Sequence, residues 1–430
     1  MATFKIIKKE IIDTCLGDFD IRYALCEQNG EIYAAYYEPR RRQLKVAKRD
    51  ASGKWHYALL PEYVNWDSHR YISMIVDHKG YIHLAANMHN HPLAYYRSER
   101  PGKIDSMKKE QMTGEMESKV TYPEFLSNNR RLYFHYREGR SGNGNTFINL
   151  YDHETQKWTK LSAQPLFDGK GLMNAYFKGP FAAPDNRFLL VWCWRDTPHC
   201  ETNHGLYFAS SADLHTWQTL SGFSQKGSIT PEDATFLVDD IKAGEGLING
   251  GYALSTVPET GMPVVAYHKY DENDCTNLYI AFWNAGKWES RRITDWHWKW
   301  NFSGKGSIPF LLDITEVSVS GREITVYFSK VSRKHFFSPK KLRHYAAVYD
   351  TSTASTREME ILPYPTEIIS PAKKKHLVHI EQDRTSDTAQ KGNRPYSLMR
   401  YETGFPARDK KSKHGNSLSR LEWLLVERQS

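Results

Sequence analysis

The feature that most constrains the fold of this chain is a repeated strand in which apolar and polar residues alternate. A polar turn leads into such a strand six times, at residues 29–37, 79–87, 129–137, 185–195, 260–268 and 321–329. A second strand-like segment follows each one, and in four cases it runs through a polar turn into a tryptophan: Trp55, Trp158, Trp217 and Trp288. Alternation with a period of two between such turns indicates antiparallel strands.

Repetition of several strands every ~50 residues is typical of a β-propeller, in which each repeat forms one blade. Two further strands near the C-terminus, at 397–404 and 420–429, supply a seventh unit. The sequence therefore predicts an all-β fold, a seven-bladed β-propeller with four-stranded antiparallel blades. It is predicted as a single domain over residues 1–430, closed by strands from both termini. A pair of β-sandwiches is the alternative, which the even spacing disfavours.

Some segments fit the strand repeat poorly. We interpret residues 108–119, 221–250 and 383–394 as loops or insertions, and the basic runs at 373–375 and 408–416 as solvated surface. The Gly-rich segment 137–145 lacks the residue order of a phosphate-binding loop and is interpreted as a tight connection between strands.

Composition favours an anionic partner. The 58 Lys and Arg residues outnumber the 50 Asp and Glu residues, giving a net charge of +8. No zinc-finger spacing, basic helix or ribonucleoprotein motif accompanies this charge, so we expect no nucleic-acid partner. The chain also contains 26 Tyr and 12 Trp residues, whose rings can stack on sugars. The predicted partner is an acidic polysaccharide, and the protein is expected to be a monomer.

The sequence gives no sign of a membrane partner. No apolar run reaches the ~18 residues of a membrane-spanning helix, and the first residues lack the apolar segment of a signal peptide. We expect either a secreted or periplasmic protein whose leader is absent from this chain, or a cytoplasmic protein.

Polar residues at the ends of the repeated strands are the first candidate functional residues. Asn87, His89, Arg137, Arg195 and His268 lie at or just beyond four successive repeats. In a propeller such ends are expected to converge at one mouth, where imidazole and guanidinium groups form a positive cleft. Polar channel mouths also occur in propellers without catalytic activity, so the pattern alone does not separate an enzyme from a binding protein.

Two further residues are expected near the same cleft. His69 lies 20 residues before His89, a spacing that suits the ends of adjacent antiparallel strands. Tyr122 lies 15 residues before Arg137, which would place a phenol and a guanidinium on neighbouring strands. Pro123 predicts an irregular start of the strand that carries Tyr122.

Cysteine and histidine residues suggest one metal site. The five cysteines are an odd number without framework spacing, which excludes a small disulfide-stapled domain. Candidate ligands of a structural zinc, from matching positions of adjacent repeats, are His199, Cys200, His204 and Cys275. Unrelated polar loop residues with a free thiol are the alternative. No cofactor is expected for catalysis.

Several segments within about residues 65–310 carry a resemblance to a known family. They are DSHRYISMIVDHKGYIHLAANMHNHPLAYYRS, VTYPEF, FHYREGRSGNGN, GLMNAYFKGP, VWCWRDTPHCETNHGLYFASSADLHTW and ITDWHWKWNFSGKGSI. Together they resemble the seven-bladed β-propeller polysaccharide lyases with BNR-like repeats, a group that includes ulvan lyases and rhamnose-α-1,4-glucuronate lyases. The resemblance implies that His69 and His89 are paired active-site histidines, that Tyr122 is the catalytic phenol, and that Arg137 neutralises the substrate carboxylate.

The residues predicted to contact the substrate combine this resemblance with the strand-end pattern: Asn87, Tyr176, Arg195 and His268. The same group includes a hydrolase that uses a single histidine on another face of the propeller. The first repeat here carries Gln28 in that region, which favours elimination over hydrolysis.

The expected chemistry follows from the substrate class. Elimination across a 4-linked uronate requires removal of the proton at C5, beside a carboxylate. A guanidinium held against this carboxylate relieves the developing charge, so Arg137 is the predicted neutraliser, with Arg195 as second cation. His89 and Tyr122 are the predicted acid and base, with their roles left open, and His69 orients them or shares the proton transfer.

The predicted reaction is β-elimination at a rhamnosyl-α-1,4-glucuronate linkage, which leaves a 4,5-unsaturated uronate. Ulvan is the expected substrate, with the capped side chains of gum arabic or arabinogalactan as a second choice. A glycoside hydrolase, which would need paired carboxylates, and a glycan-binding propeller without catalysis remain the alternatives.

Overall fold

The computed structural model describes residues 3–308, 310–331, 343–372, 376–383, 395–404 and 418–429. Helical structure in these ranges is limited to three 3-10 segments, Ile104–Ser106, Cys200–Thr202 and Ala234–Phe236, and one short α-helix, Thr366–Ile369. No helix in the described ranges has the length and apolar character needed to cross a membrane. The all-β prediction is confirmed. The basic runs at 373–375 and 408–416 and residues 384–394 of one predicted loop lie outside the described residues.

The strands of the described ranges are, in chain order, β1 (Thr3–Leu16), β2 (Ala24–Gln28), β3 (Glu31–Tyr37), β4 (Gln43–Arg49), β5 (Trp55–Tyr63), β6 (Ile72–Val76), β7 (Ile82–Ala86), β8 (Tyr95–Ser98), β9 (Met107–Glu110), β10 (Val120–Asn128), β11 (Arg131–Arg140), β12 (Asn143–Asp152), β13 (Lys157–Lys160), β14 (Asn174–Ala182), β15 (Phe188–Arg195), β16 (Asn203–Ser211), β17 (Thr216–Gln218), β18 (Ser224–Lys226), β19 (Leu237–Asp239), β20 (Tyr252–Thr256), β21 (Pro263–Tyr270), β22 (Thr276–Asn284), β23 (Lys287–Arg292), β24 (Leu312–Ser320), β25 (Glu323–Lys330), β26 (Arg343–Asp350), β27 (Ser355–Ile361), β28 (His376–Glu381), β29 (Tyr396–Gly404) and β30 (Leu418–Gln429).

These strands form seven antiparallel sheets in the described part of the chain. Six sheets have four strands, in the orders β2-β3-β4-β5, β6-β7-β8-β9, β10-β11-β12-β13, β20-β21-β22-β23, β24-β25-β26-β27 and β1-β30-β29-β28. The remaining sheet has six strands, β14 to β18 in order with β19 paired to β16, which corrects the prediction of four strands in every unit. The two extra strands, β18 and β19, come from the predicted insertion at 221–250.

The two ends of the chain share one sheet, as predicted. Strand β1 pairs with β30 from Thr3 opposite Gln429 to Leu16 opposite Leu418. The strands predicted at 397–404 and 420–429 correspond to β29 and β30, and β28 completes their sheet.

The repeated strands recognised in the sequence are each second in the order of their sheet. They correspond to β3, β7, β11, β15, β21 and β25. Of the strands that precede them, β6 and β10 were expected from the sequence, whereas β2, β14, β20 and β24 were not. Two of these first strands lose their alternation at a register shift, β10 between Thr121 and Glu124 and β14 between Lys178 and Phe181. A bulge of this kind shifts the side chains that follow to the other face, which hides the period of two.

The chain divides into two compact units, and the prediction of one domain over residues 1–430 stays a prediction. The first unit comprises Met1–Gly139, Phe147–Leu161 and Tyr364–Ser430, and the second comprises Arg140–Thr146 and Ser162–Pro363. The core of the first unit is rich in buried tyrosines, such as Tyr23, Tyr36 and Tyr37. The second unit buries aliphatic residues of β21, β22, β24 and β25 against Trp300.

Candidate active site

Two histidines of the first unit lie face to face. His69 precedes β6, and His89 follows β7, the neighbouring strand in the same sheet. Their ring centroids are 4.2 Å apart with an interplanar angle of 24°. The chain reaches this position through a left-handed residue, Asn87, whose φ is 68°. The sequence prediction that these two imidazoles come together is therefore realised in the geometry.

The carboxylate of Asp67 joins the two rings. Nδ1 of His69 lies 3.0 Å from Oδ1 of Asp67, and Nδ1 of His89 lies 2.5 Å from Oδ2. Burial raises the pKa of Asp67, but hydrogen bonds from His69 and His89 and the charge of His89 outweigh burial and hold this pKa well below its usual range. An ionised carboxylate only accepts hydrogen bonds, so the Nδ1 atom of each ring carries a proton and donates it to Asp67.

Tyr122 stands beside this pair on a β-bulge. The register of β10 and β11 shifts between Thr121 and Glu124, so Tyr122 lies outside the regular ladder, with a φ of 58°. A left-handed conformation is unfavourable for a tyrosine and costs about 1–3 kcal/mol, and such costs concentrate at functional sites. The Tyr122 ring centroid lies 6.0 Å from that of His69. The irregular strand start predicted from Pro123 is this bulge.

Arg137 also lies close to the Tyr122 ring. It is opposite Thr121 in the ladder, and its guanidinium carbon is 4.9 Å from the centroid of the Tyr122 ring. Only 5% of Arg137 is exposed. The four predicted catalytic residues thus form a continuous series of contacts, from His89 to His69, Tyr122 and Arg137, which we call the row. Asp67, to which the sequence analysis assigned no role, holds its two histidines.

A second arginine, Arg70, contacts the segment from Asn87 to His91, which contains His89. Arg70 donates to Oδ1 of Asn87 at 3.0 Å and lies 2.8 Å from Nε2 of His91. The side-chain amide of Asn87 donates to Oε2 of Glu62 at 3.1 Å and to the carbonyl of Tyr63 at 3.1 Å. Asn87, predicted to contact substrate, is therefore engaged on both its oxygen and its nitrogen in holding this segment.

A separate charged cluster contains Glu124, two residues beyond Tyr122. Oε1 of Glu124 accepts a hydrogen bond from Arg22, whose guanidinium carbon lies 3.9 Å from the Tyr71 ring centroid. His135 is opposite Glu124 in the ladder, and burial lowers its pKa to about 4. Glu124 is thereby held by an arginine, whereas Asp67 is held by two histidines.

Two predicted substrate contacts lie together in the second unit. The guanidinium carbon of Arg195 is 5.4 Å from the ring centroid of Tyr176. Arg195 donates to the carbonyls of Thr197, at 3.1 Å, and Pro198, and to Oδ1 of Asn249 at 3.2 Å. The hydroxyl of Tyr176 lies 2.9 Å from Oγ of Ser141. The predicted tight connection is the turn at Ser141 and Gly142 between β11 and β12.

His268 differs from the prediction, because its side chain is enclosed. It is 0% exposed, and its ring centroid lies 5.5 Å from that of Trp300. Burial lowers its pKa to about 4. A Cβ on Gly251 would come within 2.5 Å of Nε2 of His268, so the backbone covers this ring. A fully enclosed imidazole has no surface to offer a substrate.

The four candidate zinc ligands have other partners. His204 Nε2 lies 2.8 Å from Asp196 Oδ1, and Cys275 Sγ donates to the carbonyl of Asn273 at 3.6 Å. Within the described ranges, one group of three side chains places its potential ligand atoms within 4.8 Å of one another: Asp67, His69 and His89. His199, Cys200, His204 and Cys275 do not form such a group, so the predicted zinc site has no geometric support.

A model of the BNR repeat-containing family matches residues 31–296 of the chain. A comparison with curated protein sequences gave no match. Among solved structures, the chain is similar to the crystal structure of polysaccharide lyase Uly1, with 15% identity and a TM-score of 0.63. That similarity covers 96% of this chain and 90% of the other, and it shows a shared fold.

Two further solved structures are more distant. A lectin from Aleuria aurantia matches with 10% identity and a TM-score of 0.36, over 83% of this chain and 99% of the lectin. An endo-arabinase from Bacteroides thetaiotaomicron matches with 12% identity and a TM-score of 0.30, over 68% of this chain and 93% of the enzyme. At these TM-scores the two matches carry no argument about function.

Proposed function

The chain belongs to the BNR repeat-containing family, and from this premise we propose that it is a polysaccharide lyase acting on 4-linked uronates. In this proposal the seven sheets are the blades of a closed β-propeller. The observation that carries the proposal is the row of His89, His69, Tyr122 and Arg137, anchored by Asp67. It joins two imidazoles, a phenol and a guanidinium in one continuous series of contacts.

Arg137 is proposed to bind the carboxylate of the uronate at the cleavage point. Removing the C5 proton places negative charge next to this carboxylate, and a guanidinium offers two parallel N–H groups that stabilise it. Because Arg137 is almost fully buried, its charge is only weakly screened by water. Stabilisation of the enolate-like transition state by this cation is expected to be the largest electrostatic contribution.

The two proton transfers are proposed to fall to Tyr122 and His89. One group removes the C5 proton and the other protonates the departing O4, so that the C4–O4 bond breaks as the C4–C5 double bond forms. Tyr122 lies next to the carboxylate-binding cation, which suits either transfer at that end of the row. His69 stacks on His89 and lies beside Tyr122, and it is proposed to orient both groups or to share the proton.

The carboxylates near the row support elimination over hydrolysis. A glycoside hydrolase needs two carboxyl groups that flank the bond, one of them free to act as acid. Asp67 is occupied by the two histidines, and Glu124 accepts a hydrogen bond from Arg22. Neither carboxylate has the environment of a general acid.

The proposed substrate is a rhamnosyl-α-1,4-glucuronate linkage, with ulvan as first choice and gum arabic or arabinogalactan side chains as second. The net charge of +8 suits a polyanion such as a sulfated algal glycan.

The test is ultraviolet absorbance during incubation with a panel of uronate glycans, because elimination leaves a conjugated 4,5-unsaturated uronate. We expect absorbance to rise with ulvan. New reducing ends without absorbance would replace the lyase proposal with a hydrolase. Retained glycan binding without any cleavage would replace it with a glycan-binding protein.

A further inference from the structure

A groove in the second unit plays no part in the site described above. It encloses about 330 Å³ and is lined by ten residues, none of which carries a charge: Phe208, Thr219, Leu220, Ser221, Thr235, Phe236, Leu237, Val238, Trp283 and Trp288. A cavity of this size is large enough for a small ligand.

The insertion at 221–250 builds one side of this groove. Residues 235–238 belong to the segment that forms a 3-10 turn and strand β19, which pairs with β16 in the six-stranded sheet. The opposite side comes from the hairpin of β22 and β23, where Trp283 is opposite Trp288. The four-stranded sheets have no equivalent of β19, so the groove exists because of the insertion.

Two tryptophans form the aromatic side of the groove. The Trp288 ring lies 5.4 Å from that of Phe208, which is buried, and 5.8 Å from that of Trp283, at 81°. Both indoles are partly exposed. Among the described residues no hydrogen-bond acceptor contacts either indole N–H. The groove is therefore lined by two indole side chains, each of which has an aromatic face and an N–H donor.

Hydroxyl groups lie close to the aromatic side. Oγ1 of Thr219 lies 2.9 Å from Oγ of Ser221, and Thr235 is exposed. Leu237 and Val238 add aliphatic surface that is partly open to solvent. Aromatic faces, hydroxyls and a small aliphatic patch without charge match a pyranose, which has an apolar C–H face and a polar rim.

We infer that this groove is a second, non-catalytic glycan site that binds an uncharged pyranose, with a 6-deoxyhexose such as L-rhamnose preferred. The C–H face would stack on an indole, and the methyl group at C6 would contact Leu237 and Val238. A uronate would be disfavoured, because none of the lining residues offers a cation to its carboxylate. The choice of rhamnose rests on the proposed substrate, whereas the groove itself does not depend on lyase chemistry.

The test measures binding of methyl α-L-rhamnoside and methyl β-D-glucuronide to the full chain by ligand-observed NMR titration. It uses the Arg137→Ala variant so that the cation proposed to bind a carboxylate in the row is absent. We expect the rhamnoside to bind and Trp283→Ala to weaken that binding about tenfold. Trp298→Ala is the matched control, because this partly exposed indole of the same unit packs on a different hydrophobic cluster. It should leave binding unchanged.

A filling variant keeps the test informative if removal of a tryptophan disturbs folding. Thr235→Trp places a large ring at an exposed lining position and should abolish rhamnoside binding while leaving the unfolding temperature unchanged. Equal binding of both sugars, no binding of the rhamnoside, or binding that survives Thr235→Trp would overturn the inference. Rhamnoside binding without absorbance change on any uronate glycan would overturn the proposed lyase and leave the groove intact.

Discussion

Two tyrosine–arginine pairs occupy corresponding places in two sheets, and they differ in what surrounds them. In each pair the tyrosine lies on the first strand and the arginine near the end of the second, with the guanidinium carbon 4.9 Å from the ring centroid in the Tyr122–Arg137 pair and 5.4 Å in the Tyr176–Arg195 pair. Tyr122 sits on a bulge with a left-handed φ and lies beside His69. Tyr176 sits in regular register opposite Cys193.

The two arginines also differ in the groups that surround their guanidinium groups. Arg195 donates to two backbone carbonyls and to the amide oxygen of Asn249, all neutral acceptors that fix its orientation. Arg137 lies in the row that also contains the two imidazoles held by Asp67. In the proposed function, the same pair of residue types takes part in catalysis where a bulge and a carboxylate bring titratable groups to it. Elsewhere it serves as a rigid polar surface.

The largest difference in kcat between the two pairs is expected when the phenolic hydroxyl of each tyrosine is removed. Tyr122→Phe should lower kcat about 10²–10⁴-fold, because a proton-transfer group is lost. Tyr176→Phe removes the hydrogen bond to Ser141 and should raise KM while leaving kcat within a few fold. Initial rates of absorbance increase measure both. Equal losses of kcat in the two variants would contradict the distinction.

Replacing each arginine with lysine is expected to give the next largest difference in kcat between the two pairs. Arg137→Lys should lower kcat about 10²–10³-fold, because an ammonium group cannot make the two parallel contacts to a carboxylate. Arg195→Lys should act mainly on KM. The matched variants keep the charge, and the unfolding temperature of each checks the fold. Near-normal turnover by Arg137→Lys would remove Arg137 from its role.

Loss of the carboxylate that holds the histidines should have a smaller effect on turnover. Asp67→Asn replaces an ionised acceptor of two Nδ1–H groups with a neutral amide, and kcat should fall about 10–100-fold. Because Asp67 is a positioning residue, KM should change little and the pH profile of kcat should shift. A change in KM alone would contradict this assignment.

Asp67 also predicts a pH dependence of stability. Its pKa is lower in the folded chain than in the unfolded chain, so its contribution is fully present above the unfolded pKa of about 3.9 and is lost as the pH falls toward the folded pKa. The difference in unfolding free energy between wild type and Asp67→Asn should therefore be largest near neutral pH and shrink below about pH 4. Denaturant titrations at several pH values measure it. A constant difference would rule out an ionised, stabilising Asp67.

The smallest effect, on the unfolding temperature, is expected from breaking the contact between His204 and Asp196 in the second unit. His204 and Asp196 form a partly exposed pair with 27% and 41% of their side chains accessible, and such pairs contribute at most about 1 kcal/mol. His204→Ala should therefore change the unfolding temperature little, with or without a chelator. A large loss in either experiment would restore the predicted zinc site.

Much of the candidate site could be predicted from sequence, because alternation locates strand ends and the family resemblance implies which residues near them form the site. His69, His89, Tyr122 and Arg137 come together as the resemblance implied, and Pro123 correctly indicated an irregular strand. The role of Asp67 was missed, because its two hydrogen bonds reach residues 2 and 22 positions away and no local pattern marks them. His268 was misread because position at a strand end does not report burial.

The sequence by itself determined the all-β class, the repeated antiparallel units and the pairing of the two termini. The first two depend on the alternation of side chains along each strand, which is a local property, and the third follows from the closure expected of a propeller built from such repeats. Only the tertiary structure decided which polar residues meet. Packing between segments distant in sequence determines four features of the site and its surroundings. These are the bulge that carries Tyr122 next to His69, the carboxylate that joins two imidazoles, the enclosure of His268, and the partners of the four predicted zinc ligands. Periodicity along one strand carries no information about such contacts.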